Sequence, residues 1–469
     1  MERVNVAIVG GGPGGSAAAY TAANTGADAL VLEKGVPRAD RDGLGPDSTD
    51  AAGILDYWVD IMGIHPDEFD DGVLQCELTR AEFRGPDEAA TLYSTGIDSS
   101  YDEFGYTFHR ARFDDWMRER AEDAGAEYRT GVTVRDVETD LTVDVADGVS
   151  RGGGDEPRHV VQLASGEELW ADFVVLADGP QRTVTNRVLD RFLPEGSGAS
   201  DRLSPPNANH IAYQEHRRVP EAVYEELNDA IIFWWGVMPG ETAYPWIFPN
   251  EDRACRIGLT MPIGLDIEAF DADEYELLEP DDESIPNGSE YIRRLLEWQF
   301  GDEYDIDEAF PIVDEAGKRN GTETYPISST RPIDSPTDAG IAVVGGAMGT
   351  TSAFHAGGDH VAIRTGSIAG ELAAKGDLAA YNRRWKEAIG DEIVRNVTMA
   401  DMVADYDPDD WNRVIGAADD LLAAETGDAL LSQPYRSGLE SLKLVLGYKW
   451  NKRKTKRNYV GIDENEYVY

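Results

Sequence analysis

The sequence predicts an α/β protein in which a nucleotide-type βαβ unit is interleaved with a mostly antiparallel sheet, followed by a helical C-terminal segment. Three observations carry this. An apolar run at residues 4–9 ends in a glycine cluster and leads, through the alanine-rich SAAAYTAANTGA, to a second apolar run at Ala29–Leu32. Strand, glycine turn, helix and strand in this order make a βαβ unit. A third apolar run at residues 341–344 precedes GGAMGTTSAFHAGGDH and a long helical pattern. Between them, residues 205–265 hold the aromatic strand-like segments HIAYQEHR, AIIFWWGVMP, TAYPWIFPN and ACRIGLTMPI. Such segments suit antiparallel strands with one face on a core or cavity.

In chain order, residues 34–50 are polar and turn-rich, 51–64 fit a helix, and 70–100 hold alternating patches that suit antiparallel strands. HRARFDDWMRERAEDAGAEYRTG reads as a helix closed by Gly125. Residues 141–170 look like strands around a loose turn at SRGGGDEP, and ADFVVLADG is a buried strand ending in Asp178 and Gly179. Residues 266–310 are acidic and partly helical, and YNRRWKEAIGDEIVRNVTMADMVA is a helix. Residues 1–75, 105–190 and 336–400 then form a discontinuous nucleotide-binding domain. Residues 76–104 and 191–335 form a sheet domain for substrate, and 401–469 a helical segment with a basic tail.

Composition narrows the function. The chain has 469 residues with 89 acidic and 42 basic side chains, a net charge of -47. Ten Trp, thirteen Phe and twenty Tyr, with 41 % apolar residues, exclude an acidic disordered chain. The acidity argues against nucleic acid as a partner. Carboxylates spread along the whole chain fit a protein kept hydrated at high salt, so a halophilic host is expected. Only Cys76 and Cys255 are present, which implies no disulfide framework and suits a reducing cytoplasm. The N-terminus lacks a signal-peptide layout, and no long uncharged apolar stretch predicts a membrane span. No metal site is evident from the histidines, which make neither HExxH nor a tight cluster.

Gly10, Gly12 and Gly15 form GxGxxG, with Gly11, Pro13 and Gly14 in the gaps. The first glycine permits the turn, the second lets backbone approach a pyrophosphate, and the third lets the helix pack on the strand. The helix N-terminus offers its orphan N–H groups to the anion. Glu33, closing the second strand ahead of Lys34, suits ribose hydroxyls. This motif serves FAD and NAD alike. The second glycine cluster, with Gly345, Gly346, Gly349, Gly357 and Gly358, favours FAD, whose long flavin end extends beyond the first turn.

These motifs resemble the geranylgeranyl reductase family of FAD-dependent oxidoreductases, within the wider aromatic hydroxylase-like fold. GGGPGGSAAA with Glu33 is similar to the family's FAD-AMP motif. Arg110-x-x-Phe113-Asp114 opens the middle helix, where the family's arginine lies near the flavin's phosphate or ribityl side. AYPWIFPN, with Tyr244, Trp246, Phe248 and Pro249, looks like the family's Tyr-x-Trp-x-Phe-Pro signature. GGAMGTTSAFHAGG, followed by RTGSIAGELAA, lies where the family has its second flavin turn and helix. The chain departs from the pattern at Gly346, where the family has an aspartate, and at Ser352-Ala353, where it has Asn-Pro. In the loop after the second strand, where many members carry a cysteine, this chain has Ser48 and Thr49. RTVTNR is a degraded continuation of the Asp178–Gly179 motif.

The resemblance implies reduction of C=C bonds in geranylgeranyl chains, on archaeal ether lipids or another isoprenoid. A flavin monooxygenase or other oxidoreductase acting on a polycyclic or carotenoid-like substrate is the alternative. NADPH and a ferredoxin-like carrier are equally compatible electron donors. Phe233, Trp234, Trp235, Tyr244, Trp246 and Phe248 are candidates to line an apolar tunnel, and Tyr244, Trp246 and Phe248 share one strand face. His355, Tyr213 and Tyr244 are candidates to deliver a proton. Asp359 is a candidate cap for the late helix, and His360 a residue of its start.

One segment opposes the composition. Residues 441–462 carry Lys443, Lys449, Lys452, Arg453, Lys454, Lys456 and Arg457 and no acid, with Trp450 among apolar neighbours. A peripheral contact at the inner face of a membrane suits this pattern. So does docking against the protein's own acidic body, and a nucleic-acid patch is the third reading.

Overall fold

The computed structural model describes residues 2–37, 52–95, 101–143, 157–316, 319–425 and 448–469. Ser48, Thr49, most of the SRGGGDEP turn and Lys443 lie outside these residues.

The first apolar run forms the strand Glu2–Val9, parallel to Ala29–Leu32 on one side and to Glu168–Leu176 on the other. Glu127–Arg129 extends the parallel layer beyond Ala29–Leu32. Across Glu168–Leu176 the partner changes along the strand. Its beginning pairs antiparallel with His159–Leu163, and its end pairs parallel with Ile341–Val343. That switch brings the late glycine cluster beside the first one. Three strand ends, at Gly10, Ala177 and Val344, meet at one carboxyl edge, which is where open α/β sheets place their ligands.

Two helices cover this edge and cross at backbone contact. Pro13–Asn24 follows the first glycines and Asp359–Ala374 follows the last. A Cβ on Gly366 would stand 2.0 Å from the Gly14 carbonyl, and one on Gly370 2.1 Å from that of Ala18. Only glycine allows this approach.

The second sheet runs in the order Thr322–Ser328, Asn209–Arg218, Ala254–Pro262, Tyr244–Pro249, Ala230–Trp234, Arg80–Arg84 and Ala89–Leu92. It is antiparallel except where Ala230–Trp234 meets Arg80–Arg84. The helix Gly288–Phe300 lies on one face, burying Ile292, Leu295 and Leu296 with Trp234, Ile257 and Leu259. The other face carries Tyr244, Trp246 and Phe248, packed with Trp235, Val403 and Trp411. A third small sheet joins Gly53–Leu55, Gly105–Phe108 and Leu74–Leu78. The helix expected over 51–64 is therefore split: Gly53–Leu55 pairs as a strand, and only Trp58–Met62 is helical. Backbone pairing with Gly105–Phe108 overrides local propensity there.

Helix Tyr381–Val403 crosses behind the nucleotide layer and leads to helix Pro408–Glu425. The C-terminal tail docks on the molecule itself. Ile462 bridges to Ile333, the Tyr467 hydroxyl donates to the Asp334 carbonyl at 2.6 Å, and Arg202 pairs with Glu466 at 2.6 Å. Part of the 441–462 segment is thus an intramolecular contact, while Trp450 remains 75 % exposed. Among the described residues no helix is long and apolar enough to cross a membrane. Nor is any group of three or more His, Cys, Asp or Glu placed to hold a metal ion.

Candidate functional site

The first glycine turn has the shape of an anion cradle. Gly10 has φ +102°, and a Cβ there would lie 2.3 Å from the Ala177 carbonyl oxygen. Gly15 is tighter still, 1.9 Å from the Gly10 carbonyl. Gly12, by contrast, faces open space, with no atom within 4 Å of its Cβ position. It caps the helix without a side-chain hydrogen bond, Pro13 occupies the first turn, and no acidic residue stands there. The N-terminal amides are left for an anionic ligand. Glu33 turns towards this cradle: one carboxylate oxygen accepts from the Gly11 N–H at 2.6 Å and the other from the Gly35 N–H at 2.5 Å. Each oxygen keeps a lone pair for a ribose hydroxyl. Lys34 is exposed and its ammonium reaches the Gln181 side chain at 3.4 Å.

Arg110 opens the helix Arg110–Asp123 and is mostly buried. It donates to Asp114 at 2.9 Å and pairs with Asp359 at 3.3 Å. Asp359 therefore ties the late helix to the middle helix instead of capping it, and that helix has no side-chain cap. His360 is buried against Glu392 at 2.6 Å, with Arg364 on the other carboxylate oxygen.

Asp178 and Gly179 lie at the carboxyl edge in different roles. The Asp178 carboxylate accepts from the Val184 and Thr185 N–H groups and the Thr185 hydroxyl. It secures the helix Thr183–Leu189, whereas Gly179 supplies a left-handed turn at φ +73°.

The late turn is held from below by a residue that the sequence pattern did not single out. Arg182 is 1 % exposed and left-handed at φ 50°. Its guanidinium donates to the carbonyls of Ala347 at 2.9 Å, Pro180 at 3.1 Å and Gly346 at 3.2 Å, to Asn209 at 2.8 Å and to Ser328. Burial pushes it down to about 10, with Asp178 opposing that shift. This buried cation joins the late turn and the Gly179–Pro180 turn to the second sheet. A Cβ at Gly346 would meet Pro180 at 3.1 Å, so the glycine and the proline fit together. Its chain neighbours Gln181 and Thr183 are polar and exposed, so the sequence carries little signal for its burial, and the reading as a degraded motif passed over it.

Gly345 and Gly349 turn the chain at φ +60° and +88°, and the Gly345 N–H donates to the Thr365 hydroxyl at 3.1 Å. Beyond them, the 352–357 loop is closed by the Ser352 N–H on the Gly357 carbonyl and the Ala356 N–H on the Ser352 carbonyl. Ala356 is left-handed at φ 55°, a conformation costing about 1 kcal/mol for a residue with a Cβ. The Tyr244 hydroxyl, from the second sheet, donates to the His355 carbonyl at 2.8 Å and pins this loop. Gly358 caps the late helix, and Gly357 donates its N–H to His355 Nδ1 at 3.3 Å. That contact leaves the proton of a neutral ring on Nε2. The His355 side chain is exposed. Desolvation first, then the charges of His360 and Arg395, push it down to about 4, with Glu392 opposing.

The aromatic candidates separate into two groups. Tyr244, Trp246 and Phe248 share one face, as their parity requires. Phe233 joins them edge-on, at 5.7 Å from Tyr244 and 5.6 Å from Phe248. Trp235 stacks on Phe83, on Phe354 of the late loop and on Trp411. Trp234 points the other way, into the core under Gly288–Phe300. Tyr213 also lies on that side, its ring against Gly288 and its hydroxyl donating to Glu215 at 2.8 Å. The structure does not bring Tyr213 near His355 or Tyr244. Phe354 and Trp411, by contrast, complete the face from distant segments.

The donor set fits FAD. The bare N-terminus of Pro13–Asn24, the open Gly12 cradle, Glu33 and Arg110 suit an adenosine diphosphate half, and the late glycine turn prolongs the site towards the aromatic face. Residues 8–37 match a family model described as an NAD(P)-binding Rossmann-like domain. The chain is 26 % identical over 452 residues to digeranylgeranylglycerophospholipid reductase 2 of Methanopyrus kandleri, covering 91 % of this chain and 94 % of that one. It is 28 % identical over 400 residues to the digeranylgeranylglycerophospholipid reductase of Methanocaldococcus jannaschii, covering 82 % of each. A solved structure of a geranylgeranyl bacteriochlorophyll reductase-like protein from Thermoplasma acidophilum superimposes with TM-score 0.67 at 20 % identity, over 97 % of this chain and 99 % of that one. Over most of its length the chain is thus similar to reductases of geranylgeranyl chains, it shares their fold, and its residues fit FAD as the cofactor.

Proposed function

We propose that this oxidoreductase saturates C=C bonds in geranylgeranyl chains, with a prenylated ether lipid as the acceptor. The observation that carries the reading is the apolar aromatic face, from Phe83 through Phe233, Trp235, Tyr244 and Phe248 to Phe354, which runs directly into the loop of the late cofactor turn. A wall of rings at this place suits a long hydrocarbon and offers nothing to a polar substrate. The names of the Methanopyrus and Methanocaldococcus relatives support an isoprenoid chain.

Bound FAD supplies the electron pair, replenished by NADPH or a ferredoxin-type carrier. Each C=C takes up two electrons and two protons. Trp246 and Phe248 form the wall that excludes water. Tyr244 positions the loop through its bond to the His355 carbonyl, and burial raises its own phenol further above the usual range. His355 delivers a proton from Nε2, the ring position that faces away from Gly357. Its proton affinity is lowered, so the protonated ring is the minor form at pH 7 and delivery speeds up in acid. The reading includes a peripheral contact with an anionic lipid surface, where exposed Trp450 stands among Lys449, Arg453, Lys456 and Arg457. An archaeal, salt-adapted host and a cytoplasmic location go with it.

The test is anaerobic. The FAD-loaded protein, reduced with dithionite in molar salt, is mixed with a geranylgeranylated ether lipid, and flavin reoxidation and chain mass are followed. Reoxidation with a gain of two mass units per bond is expected, its rate rising as the pH is lowered from 7 to 5. In H355Q the pH profile becomes flat. Reoxidation only by oxygen, with an oxygenated product, overturns the reading in favour of a monooxygenase.

A further inference from the structure

A polar pocket of about 340 Å³ lies behind the late turn, lined by Glu241, Arg331, Asp401, Ala404, Asn451, Lys454, Thr455 and Asn458. It adjoins both halves of the site. The Arg331 carbonyl is 3.1 Å from the Cβ position of Gly349. Glu241 stands just ahead of the strand Tyr244–Pro249, and Val403, next to the pocket's Ala404, packs in the aromatic cluster with Tyr244. The outer wall comes from residues 448–455, the same helical turns that hold Trp450 out in solvent.

The charges decide what this pocket can take. Arg331 is already satisfied by both oxygens of Asp401, at 2.8 and 3.0 Å, and the Thr455 hydroxyl reaches the same carboxylate at 3.4 Å. Burial and the nearby Asp401 and Asp405 raise the Glu241 carboxyl above its ordinary range, with Arg331 opposing. The lining carboxylates of Glu241 and Asp401 balance Arg331 and Lys454 and leave no net positive charge for a phosphate. Among the described residues, the side chains of Glu241, Asn451 and Lys454 make no hydrogen bond or ion pair. They offer a carboxyl, an amide and an ammonium, a mixture of acceptors and donors that matches neighbouring hydroxyls.

We propose that this pocket binds the glycerol-type polyol headgroup of the acceptor, whose chain then runs past the late turn onto the aromatic face. The proposal rests on the isoprenoid reading above and deepens it: an amphiphile is held at its polar end by Glu241, Asn451 and Lys454. It also gives the C-terminal turns two roles, Trp450 towards the lipid surface and Asn451 and Lys454 towards the headgroup.

The experiment uses the full FAD-loaded chain in molar potassium chloride. Binding of glycerophosphoglycerol is followed by saturation-transfer NMR, with inorganic phosphate as competitor. The expected result is saturable binding that weakens at least tenfold in Glu241→Leu and Asn451→Leu, with flavin spectra unchanged and no displacement by phosphate. No binding at millimolar concentration, equal binding in both variants, or displacement by phosphate overturns the proposal. Steady-state assays separate the headgroup from the chain. The variants should raise KM at least tenfold for the ether lipid and leave it unchanged for free geranylgeraniol, while an equal change for both acceptors counts against a headgroup role. Turnover of geranylgeraniol without headgroup binding overturns this proposal alone. Headgroup binding without turnover of either acceptor overturns the reductase reading instead.

Discussion

Around the cofactor turns the contacts are backbone against backbone, Gly15 on Gly10 and Gly366 on Gly14, whereas the facing sheet is held by rings, with Phe233, Trp235 and Phe354 stacked or edge-on. Glycine contacts leave no slack, since any Cβ strikes a carbonyl. Ring contacts tolerate exchange of one apolar shape for another at modest cost. The first region is therefore suited to an invariant ligand such as a dinucleotide, and the second to apolar ligands of varied shape. Arg182 and Tyr244 are among the side chains that couple them.

Substitutions can break or sharpen this contrast. The largest effect is expected for Gly15→Ala, whose methyl would lie 1.9 Å from the Gly10 carbonyl. A loss of about 4 kcal/mol or more in denaturant unfolding, with flavin lost on gel filtration, is expected. Unchanged stability would show that the turn yields and that the contrast is overstated.

Acid comes next, and each region holds a buried histidine. His159, in the nucleotide sheet, is pushed down to about 3 by desolvation and Arg158, with the Gly340 backbone opposing. His210, in the aromatic sheet, is pushed down to about 4 by desolvation. Unfolded histidine binds its proton near pH 6.5, so the unfolded state carries more protons below that pH. The stability these neutral rings confer is complete above pH 6.5 and is lost as pH falls towards 4. About 3 kcal/mol per ring is expected to go by pH 4, read from melting temperature against pH. H159Q and H210Q should each flatten part of that slope and reveal which region opens first.

Arg182→Met should cost about 2 kcal/mol by stranding the carbonyls and the Asn209 and Ser328 side chains it serves. FAD affinity should fall about tenfold, measured by fluorescence titration of the apoprotein, with Arg182→Lys intermediate. FAD binding unchanged in Arg182→Met would make the cation a packing device only. The smallest effect belongs to the rings. Gly258 makes room for the Trp246 indole, 2.6 Å from its Cβ position. Gly258→Ala should cost about 1 kcal/mol, shift KM for the prenyl acceptor and leave the flavin spectrum unchanged. A lost flavin there would mean that the two regions are not separable.

Much of the nucleotide layer was legible because its determinants are local. A glycine that must adopt φ +102° or pass beneath a carbonyl is recognisable in the sequence at Gly10 and Gly15, and Glu33 follows at a spacing set by one helix and one strand. Shared parity placed Tyr244, Trp246 and Phe248 on one face for the same reason: strand geometry alternates residue by residue. Tyr213 and Trp234 show where this ends. Both lie on strands of the same sheet, yet which face looks towards the late turn depends on the packing of Gly288–Phe300 against the other. Asp178 and Asp359 were legible as polar residues at turns, but their partners, Thr185 and Arg110, follow from tertiary proximity.

The sequence by itself determined the βαβ unit, the second glycine turn and the aromatic strands, because chain stereochemistry and hydrophobic periodicity act over a few residues. Only the tertiary structure decided that Arg182 would hold the late turn, that Trp411 and Phe354 would complete the aromatic face, and that the tail beyond Thr455 would fold back on the body. Each of these joins residues far apart in the chain. Their proximity is set by which apolar faces bury each other and which buried donors must then find acceptors.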